Sequence, residues 1–293
     1  MGGCQAFERF GSLAHLGRNF NHRFSRMNTD HIISRDNSLL RQVRAVRDGK
    51  IDELILVEGL RLCEEAYRSQ LEIEAVIVSE ELLRKERAAS AIAELSRVAK
   101  RVASVSEKLL ESVSYTKTPQ GIIVLARRPA ATETRLAKNL GASPLLVVLH
   151  QINNPVNVGA IVRTAEAAGA TGVIATKNTS DPFSPKSLRG AMGSAFRLPI
   201  WNGIEFAEMI EWCRRRGITT ICADVEASTS YLDLEWTGPR ALLLGPESTG
   251  FTPEELASTD QKVRIPMQGK AESLNVSVAS GILLFEAARQ RLS

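Results

Sequence analysis

The chain lacks the residue clusters that hold metal ions or form disulfide frameworks. Its four cysteines (Cys4, Cys63, Cys213 and Cys222) are scattered, and no two of them form a CxxC pair. This spacing predicts neither a metal site nor disulfides, so a reducing, cytoplasmic compartment is expected. No apolar run approaches the roughly 20 residues that a membrane-spanning helix needs, so no membrane role is expected.

Two common nucleotide-binding signatures are also missing. The sequence contains neither the G-x-G-x-x-G dinucleotide fingerprint nor the P-loop. Their absence argues against ordinary dehydrogenases, kinases and methyltransferases of the doubly wound Rossmann type. A nucleotide-type cofactor would therefore have to be held by loops of another kind.

Composition and charge are those of a globular protein with an uneven surface. The 293 residues suggest two domains, at roughly 150 residues per domain. Residues 1–140 carry 23 Lys and Arg against 18 Asp and Glu, whereas residues 141–293 carry 14 against 15. The basic first half indicates that one domain could bind a polyanion while the other performs chemistry. An ordinary solvated surface is the alternative interpretation.

The first half alternates short apolar segments with amphipathic ones. Strands are expected at residues 54–57, 75–78, 102–105 and 121–126, with helices between them. This alternation predicts a small α/β/α sandwich with a largely parallel core over residues 30–128. Residues 1–29 are predicted to be a disordered extension, because they are Arg-rich and lack the apolar core of a secretory signal. An organelle transit peptide is the alternative. Residues 129–143 are polar and are expected to be a linker.

The second domain is predicted over residues 144–293. It begins with a fully apolar strand at 145–149, of the kind that lies buried in a parallel sheet. Further strands are expected at 172–175, 219–223, 241–244 and 263–265. A helix is expected at 163–168, and a final helix over 275–291.

Three segments at the ends of these strands carry the candidate chemistry. They are residues 154–165 (NPVNVGAIVRTA), 242–250 (LLLGPESTG) and 265–277 (IPMQGKAESLNVS). Ligands of parallel α/β sheets bind at the carboxyl ends of the strands. If the three loops meet there, they predict one pocket, lined by backbone, for a polar organic cofactor.

Each segment also has a plain structural interpretation. Residues 245–250 could be an ordinary strand-to-helix turn, Ser273 could be a helix N-cap, and Asn275 could bond locally. Arg163, if it lies near the first turn of a helix, opposes the helix dipole. It would then need a phosphate or a carboxylate, or would simply extend into water.

Taken together, the order and spacing of the three segments resemble the motifs of the SpoU (TrmH) family of RNA ribose 2'-O-methyltransferases. The resemblance covers residues 145–291. A weaker resemblance covers 30–128, where residues 54–59 (LILVEG) and 118–123 (TPQGII) look like the family's substrate-binding domain. It implies an α/β domain with a C-terminal trefoil knot, preceded by a small ribosomal-protein-like α/β/α RNA-binding domain. Such a knot is an exception to the rule that chains do not thread their loops.

The resemblance also implies a cofactor, partners and residue roles. The cofactor is S-adenosylmethionine, the substrate is RNA, with ribosomal RNA favoured, and the protein is expected to be a homodimer. Arg163 matches the catalytic arginine of the family. The family's supporting polar residues match Asn157, Glu247, Ser273 and Asn275. The cofactor-binding positions match Leu244, Gly245, Ile265, Pro266 and Leu274.

The role expected of Arg163 is electrostatic. A guanidinium is effectively always protonated, so it would polarise the 2'-hydroxyl and stabilise the developing alkoxide instead of removing a proton. Two other functions stay open from the sequence. One is methylation of transfer RNA, and the other is that of an inactive, ribosome-associated RNA-binding protein.

Overall fold

The computed structural model describes residues 29–292, which form two α/β units joined by the segment around residues 128–144. The predicted N-terminal extension lies outside these residues, apart from Thr29, which begins the first strand. Within the described part of the chain, no helix is both long and apolar enough to cross a membrane.

The first unit contains a five-stranded mixed sheet. Its strands are β1 (Thr29–Ile32), β2 (Leu54–Glu58), β3 (Ile73–Ser79), β4 (Arg101–Val105) and β5 (Ile122–Arg127), in the order β1-β4-β3-β5-β2. β5 pairs antiparallel with both β3 and β2. The prediction of a largely parallel core is therefore wrong for two of the four pairings. The reason is that β5 starts where β3 ends, with Ser79 N–H donating to Gly121 O at 2.8 Å.

Helices cover both faces of this sheet, as expected of an α/β/α sandwich. They are α1 (Ser38–Arg47), α2 (Leu60–Arg68), α3 (Glu80–Leu83), α4 (Glu86–Val98) and α5 (Glu107–Val113). The buried side chains of α1 and α5 share one apolar cluster with Leu54 and Leu56. Those of α2 and α4 share another with Ile55 and Val57. Alternate residues of β2 therefore serve opposite faces, as the two-residue period of a strand requires.

The second unit contains a six-stranded sheet. Its strands are β6 (Leu145–Leu149), β7 (Gly172–Thr176), β8 (Ile200–Ile204), β9 (Thr219–Ala223), β10 (Arg240–Leu244) and β11 (Gln261–Val263), in the order β11-β9-β10-β6-β7-β8. Every pairing is parallel, so the carboxyl ends of all six strands lie at one edge. The sequence did not predict β8, because Asn202 and Gly203 interrupt its apolar run.

Seven helices surround this sheet in the described residues. They are α6 (Glu133–Ala137), α7 (Pro155–Ala167), α8 (Pro185–Ala191), α9 (Ser194–Arg197), α10 (Phe206–Arg215), α11 (Pro253–Ser258) and α12 (Val276–Arg291). Helix α6 lies in the segment predicted as a linker. Its Leu136 is fully buried against the second sheet, and its Glu133 accepts a hydrogen bond from Trp212 Nε1 at 2.9 Å. This segment is therefore packed onto the second unit. The trefoil knot implied by the resemblance stays a prediction.

Helix α7 begins eight residues earlier than predicted. Asn154 caps it by accepting from Val156 N–H at 3.0 Å, and Pro155 occupies the first helical position. Arg163 therefore lies in the third turn, where the helix dipole is weak, and the argument that its charge opposes the dipole is wrong. The earlier turns were missed because Gly159 disfavours a helix. The glycine is needed because α7 and α8 cross there, and a Cβ on it would lie 2.3 Å from Ser187 O.

The two units are in direct contact. Arg197 Nη1 of α9 donates to Glu65 of α2 at 2.5 Å, and its Nε donates to Glu166 of α7. Arg128 makes a two-pronged contact with Asp181 at 2.9 and 2.5 Å. Apolar side chains of α8 belong to the same buried cluster as β2. Charged and apolar contacts together hold the first unit against the second.

Candidate active site

Two of the three predicted loops, residues 242–250 and 265–277, line a cavity of about 640 Å³ at the carboxyl edge of the second sheet, and residues 154–165 do not line it. This volume lies in the range of roughly 300–1,000 Å³ typical of small-molecule sites. Four of the five predicted cofactor-binding residues line it, namely Leu244, Gly245, Ile265 and Leu274. Pro266 does not line it, although the residues on both sides of it do. Three predicted catalytic residues also line the cavity, namely Glu247, Ser273 and Asn275.

At Gly245 the backbone packs closely against an aromatic ring. A Cβ on this residue would lie 2.5 Å from the ring of Phe251, which also lines the cavity. Only glycine can therefore occupy this position without moving the aromatic ring. The absence of a side chain at Gly245 lets the Phe251 ring pack directly on the backbone beside the cavity.

A chain of hydrogen bonds joins the three predicted segments. Asn157 of the first donates through Nδ2 to Glu247 Oε1 of the second at 2.6 Å. Asn275 of the third donates through Nδ2 to Asn157 Oδ1 at 3.4 Å. Asn157 is only 5% exposed, so its amide needs both partners. The buried amide therefore fixes the two cavity-lining side chains relative to each other.

Asn275 has a second role as the N-cap of α12. Its Oδ1 accepts from Ser277 N–H at 2.9 Å and from Ser277 Oγ at 2.6 Å. The interpretation of Asn275 as a locally bonded residue is confirmed, and its Nδ2 is still directed toward Asn157. The interpretation of Ser273 as an N-cap is wrong, because the helix starts three residues later.

Arg163 lies apart from the cavity. It is exposed on α7 and has no hydrogen-bond or ion-pair partner among residues 29–292. Its helix is flanked on one side by α8, through Gly159, and on the other by α12, where Thr164 faces Gly281. Neither Arg163 nor the buried Asn157 lines the cavity within the chain. The guanidinium of Arg163 is therefore available to bind another molecule.

The sequence missed several residues that line the cavity. Asp224 and Glu226 follow β9, and Phe251 and Leu256 follow residues 245–250. Asp224 and Glu226 could have been found from the strand predicted at 219–223. The carboxyl end of that strand lies at the same sheet edge as the ends of the other parallel strands. Together with Glu247, these two residues put three carboxylates around the cavity, against the single Arg264. Such a balance favours a cationic ligand. In the described part of the chain, no three or more His, Cys, Asp or Glu side chains are grouped so that they could hold a metal ion.

Comparison with known proteins identifies the class to which this fold and cavity belong. The profile of the SpoU rRNA Methylase family matches residues 144–285, and that of the MRM3-like substrate binding domain matches residues 39–124. The chain belongs to the SpoU family of RNA methyltransferases.

Individual relatives agree with this assignment. The chain is 36% identical over 195 residues to the 23S rRNA (guanosine-2'-O-)-methyltransferase RlmB of Burkholderia sp, covering 66% of this chain and 78% of the relative. It is 31% identical over 197 residues to the 23S rRNA (uridine(2479)-2'-O)-methyltransferase of Streptomyces viridochromogenes, covering 66% and 68%. The AdoMet-bound rRNA methyltransferase from Sinorhizobium meliloti superposes with a TM-score of 0.78 at 28% identity, covering 90% of this chain and 99% of that one.

Proposed function

We propose that this protein transfers a methyl group from S-adenosylmethionine to a ribose 2'-hydroxyl of ribosomal RNA. The observation that carries the proposal is the hydrogen-bond chain Glu247–Asn157–Asn275, which joins the three segments beside the cavity. The relatives named as 23S rRNA 2'-O-methyltransferases support ribosomal RNA as the substrate class.

The cavity supplies the cofactor site in this proposal. The backbones of Leu244, Gly245, Ile265 and Leu274 hold the adenine and ribose, with Pro266 keeping the third segment in place. When bound, S-adenosylmethionine supplies a methyl group on an electrophilic sulfonium. The carboxylates around the cavity favour a ligand with a positive sulfonium and ammonium group.

The polar residues hold the reacting groups in place. Asn157 orients Glu247 and Asn275, and Ser273 contributes a hydroxyl to the same wall. Arg163 is the group that acts on the RNA. Its guanidinium stays protonated, so it donates hydrogen bonds to the ribose 2'-oxygen and stabilises the negative charge that develops there as the hydroxyl proton passes to water and the oxygen takes the methyl group.

The decisive experiment removes the arginine. Arg163→Ala is expected to lower kcat by at least a hundredfold, the scale seen when one stabilising donor is removed. Its Kd for S-adenosylmethionine, measured by calorimetry, should stay within about twofold of wild type, since Arg163 does not line the cavity. Arg215→Ala is the matched control, because Arg215 is exposed on α10 and pairs only with Glu211 among the described residues. Near-normal turnover by Arg163→Ala would refute the assignment.

Residues 30–128 are the RNA substrate-binding domain in this proposal, followed by a connecting segment at 129–143 and the methyltransferase domain at 144–293. The matched substrate-binding profile and the excess of basic residues in the first half support this division. A cytoplasmic location is part of this proposal and agrees with three free, buried cysteines among the described residues. When 2'-O-methylation is mapped in total RNA with and without the protein, the RNA made without the protein should lack methylation at a ribosomal site. A missing transfer-RNA site would instead favour the transfer-RNA alternative.

The working unit in this proposal is a homodimer. Val278 and Phe285 of α12 and its C-cap Leu292 are exposed at seven-residue spacing, with Val278 52% and Phe285 54% exposed. On the neighbouring α7, Val156 is 46% exposed. An apolar stripe of this kind is typical of a surface covered by another chain. Because Arg163 lies on the same helix as Val156, pairing would bring it beside the partner subunit.

A further inference from the structure

A buried histidine sits directly behind the cofactor cavity. His150 is the first residue after β6 and is 2% exposed. Its backbone N–H donates to Leu244 O at 2.9 Å, so it attaches the end of β6 to the end of β10. The next residue along the chain from Leu244 is Gly245. The main chain at position 150 therefore lies beside the point at which the loop of residues 245–250 leaves the sheet, and the side chain adds contacts of its own.

The imidazole links this point to α11, the helix that follows the same loop. Its Nε2 lies 2.9 Å from Glu255 Oε1, and its Nδ1 lies 2.9 Å from Thr176 Oγ1 at the end of β7. The other oxygen of Glu255 accepts from Thr252 N–H at 2.9 Å and closes a capping box at the start of α11. Burial lowers the pKa of His150, against the opposing effect of Glu255. The neutral ring can then donate to Glu255 and accept from Thr176.

Aromatic packing adds a third connection. The imidazole lies 5.5 Å from the ring of Phe251, nearly parallel to it, and 4.5 Å from the ring of Phe206. Phe251 follows the loop directly, and its ring fills the space in front of Gly245. Phe251 lines the cavity, whereas His150 does not. The histidine therefore has no contact with the ligand and acts only through its neighbours.

We propose that His150 is a positioning residue whose side chain fixes residues 245–250 in their cofactor-binding conformation, through Phe251 and Glu255. The inference rests on the proposed function, because it assigns this loop to S-adenosylmethionine. A six-residue loop with glycine at both ends is costly to order, because glycine loses more backbone freedom than any other residue. Prior ordering by His150 lowers the cost that binding would otherwise carry. Its loss should therefore weaken cofactor binding and leave the chemical step largely unchanged.

The test compares two substitutions of the histidine. His150→Phe keeps a ring against Phe251 but leaves Glu255 and Thr176 without their partner. It is expected to raise the Kd for S-adenosylmethionine about tenfold by calorimetry, equivalent to 1.4 kcal/mol, with kcat at saturating cofactor within about twofold. His150→Gln retains a donor near the Nε2 position and should recover most of the affinity. Ile174→Val, in the core of the same sheet, is the control for a general loss of stability.

A second measurement does not depend on the cofactor. Hydrogen exchange of the free protein should show faster exchange over residues 245–252 in His150→Phe than in wild type or Ile174→Val. If His150→Phe does not fold, Thr176→Val removes one partner of the ring and should shift exchange and Kd in the same direction by a smaller amount.

The outcomes separate this inference from the proposed function. Unchanged exchange and an unchanged Kd in His150→Phe would overturn the role of His150 alone. That role is also overturned if Ile174→Val raises the Kd as much, or if His150→Gln is as weak as His150→Phe. Failure of the wild-type protein to bind S-adenosylmethionine would instead overturn the proposed function, and exchange alone would then decide whether His150 orders the loop.

Discussion

The crossing of α7 and α8 offers a sharp test of how the site is built. At this crossing a Cβ on Gly159 would lie 2.3 Å from Ser187 O and 2.9 Å from the Cα of Gly190. Both neighbours are backbone atoms of α8, so no side-chain rotation relieves the contact. Gly159→Ala must therefore push the two helices apart, and Arg163 lies one turn further along α7.

The size of the effect follows from two opposing contributions. Overpacking a tight contact costs about 1–3 kcal/mol, and the upper end applies where only backbone can move. Replacing glycine by alanine inside a helix stabilises the folded protein by about 1 kcal/mol, because alanine has the higher helix propensity. The net loss should be about 2 kcal/mol, which lowers the Tm of a domain of this size by about 4–8 °C.

Thermal unfolding by calorimetry measures the loss of stability, and methyl transfer at saturating cofactor measures the displacement of Arg163. The matched control is Gly269→Ala, where the same methyl group meets no atom within 4 Å. That variant should be as stable as wild type or more stable by up to about 1 kcal/mol. If Gly159→Ala were as stable as Gly269→Ala, the close crossing would not constrain α7, and the packing argument for this glycine would be refuted.

Three further outcomes are expected. Gly245→Ala should raise the Kd for S-adenosylmethionine at least tenfold by calorimetry, because its Cβ would lie 2.5 Å from the Phe251 ring and displace this part of the cavity wall; an unchanged Kd would contradict the importance of this close contact. Phe285→Glu should turn the proposed dimer into a monomer in sedimentation experiments, and a persistent dimer would place the interface elsewhere. The pKa of Glu286 is lowered from its ordinary value of 4.5 to about 2, mainly because Arg289 donates a hydrogen bond to its carboxylate. The stability that this carboxylate contributes is therefore present above pH 4.5 and lost as the pH falls toward 2. The Tm difference between wild type and Glu286→Gln should shrink over that interval, and a constant difference would argue against the shift.

The strands of both sheets were largely predictable because buried strands are apolar along their whole length. β6 and β10 read as continuous apolar runs, and both lie in the interior of the second sheet. β8 escaped because it lies at the sheet edge, where Asn202 and Gly203 are tolerated. The antiparallel direction of β5 was also not predicted, because an apolar run does not indicate at which end of the sheet the strand begins.

The cavity was predictable for the same reason as the sheet. Loops that follow parallel strands must lie at one edge, so the second and third segments had to meet. The start of α7 was not predictable, because Gly159 lowers helix propensity and its compensation lies in α8, far away in sequence. His150 was not predictable either, since its partners Thr176 and Glu255 come from different parts of the chain. The separation of Arg163 from the cavity likewise depends on which face of α7 is covered.

The contacts between the two units have a consequence for the choice of nucleotide. Arg197 ties Glu65 of the first unit to Glu166, which lies on the same helix as Arg163. With the first unit as the RNA grip, the path from the gripped element to the methylated ribose has a length set by the protein. On this proposal, a nucleotide would be selected by its position relative to a distant structural landmark in the folded RNA, and its base could differ from one substrate to another.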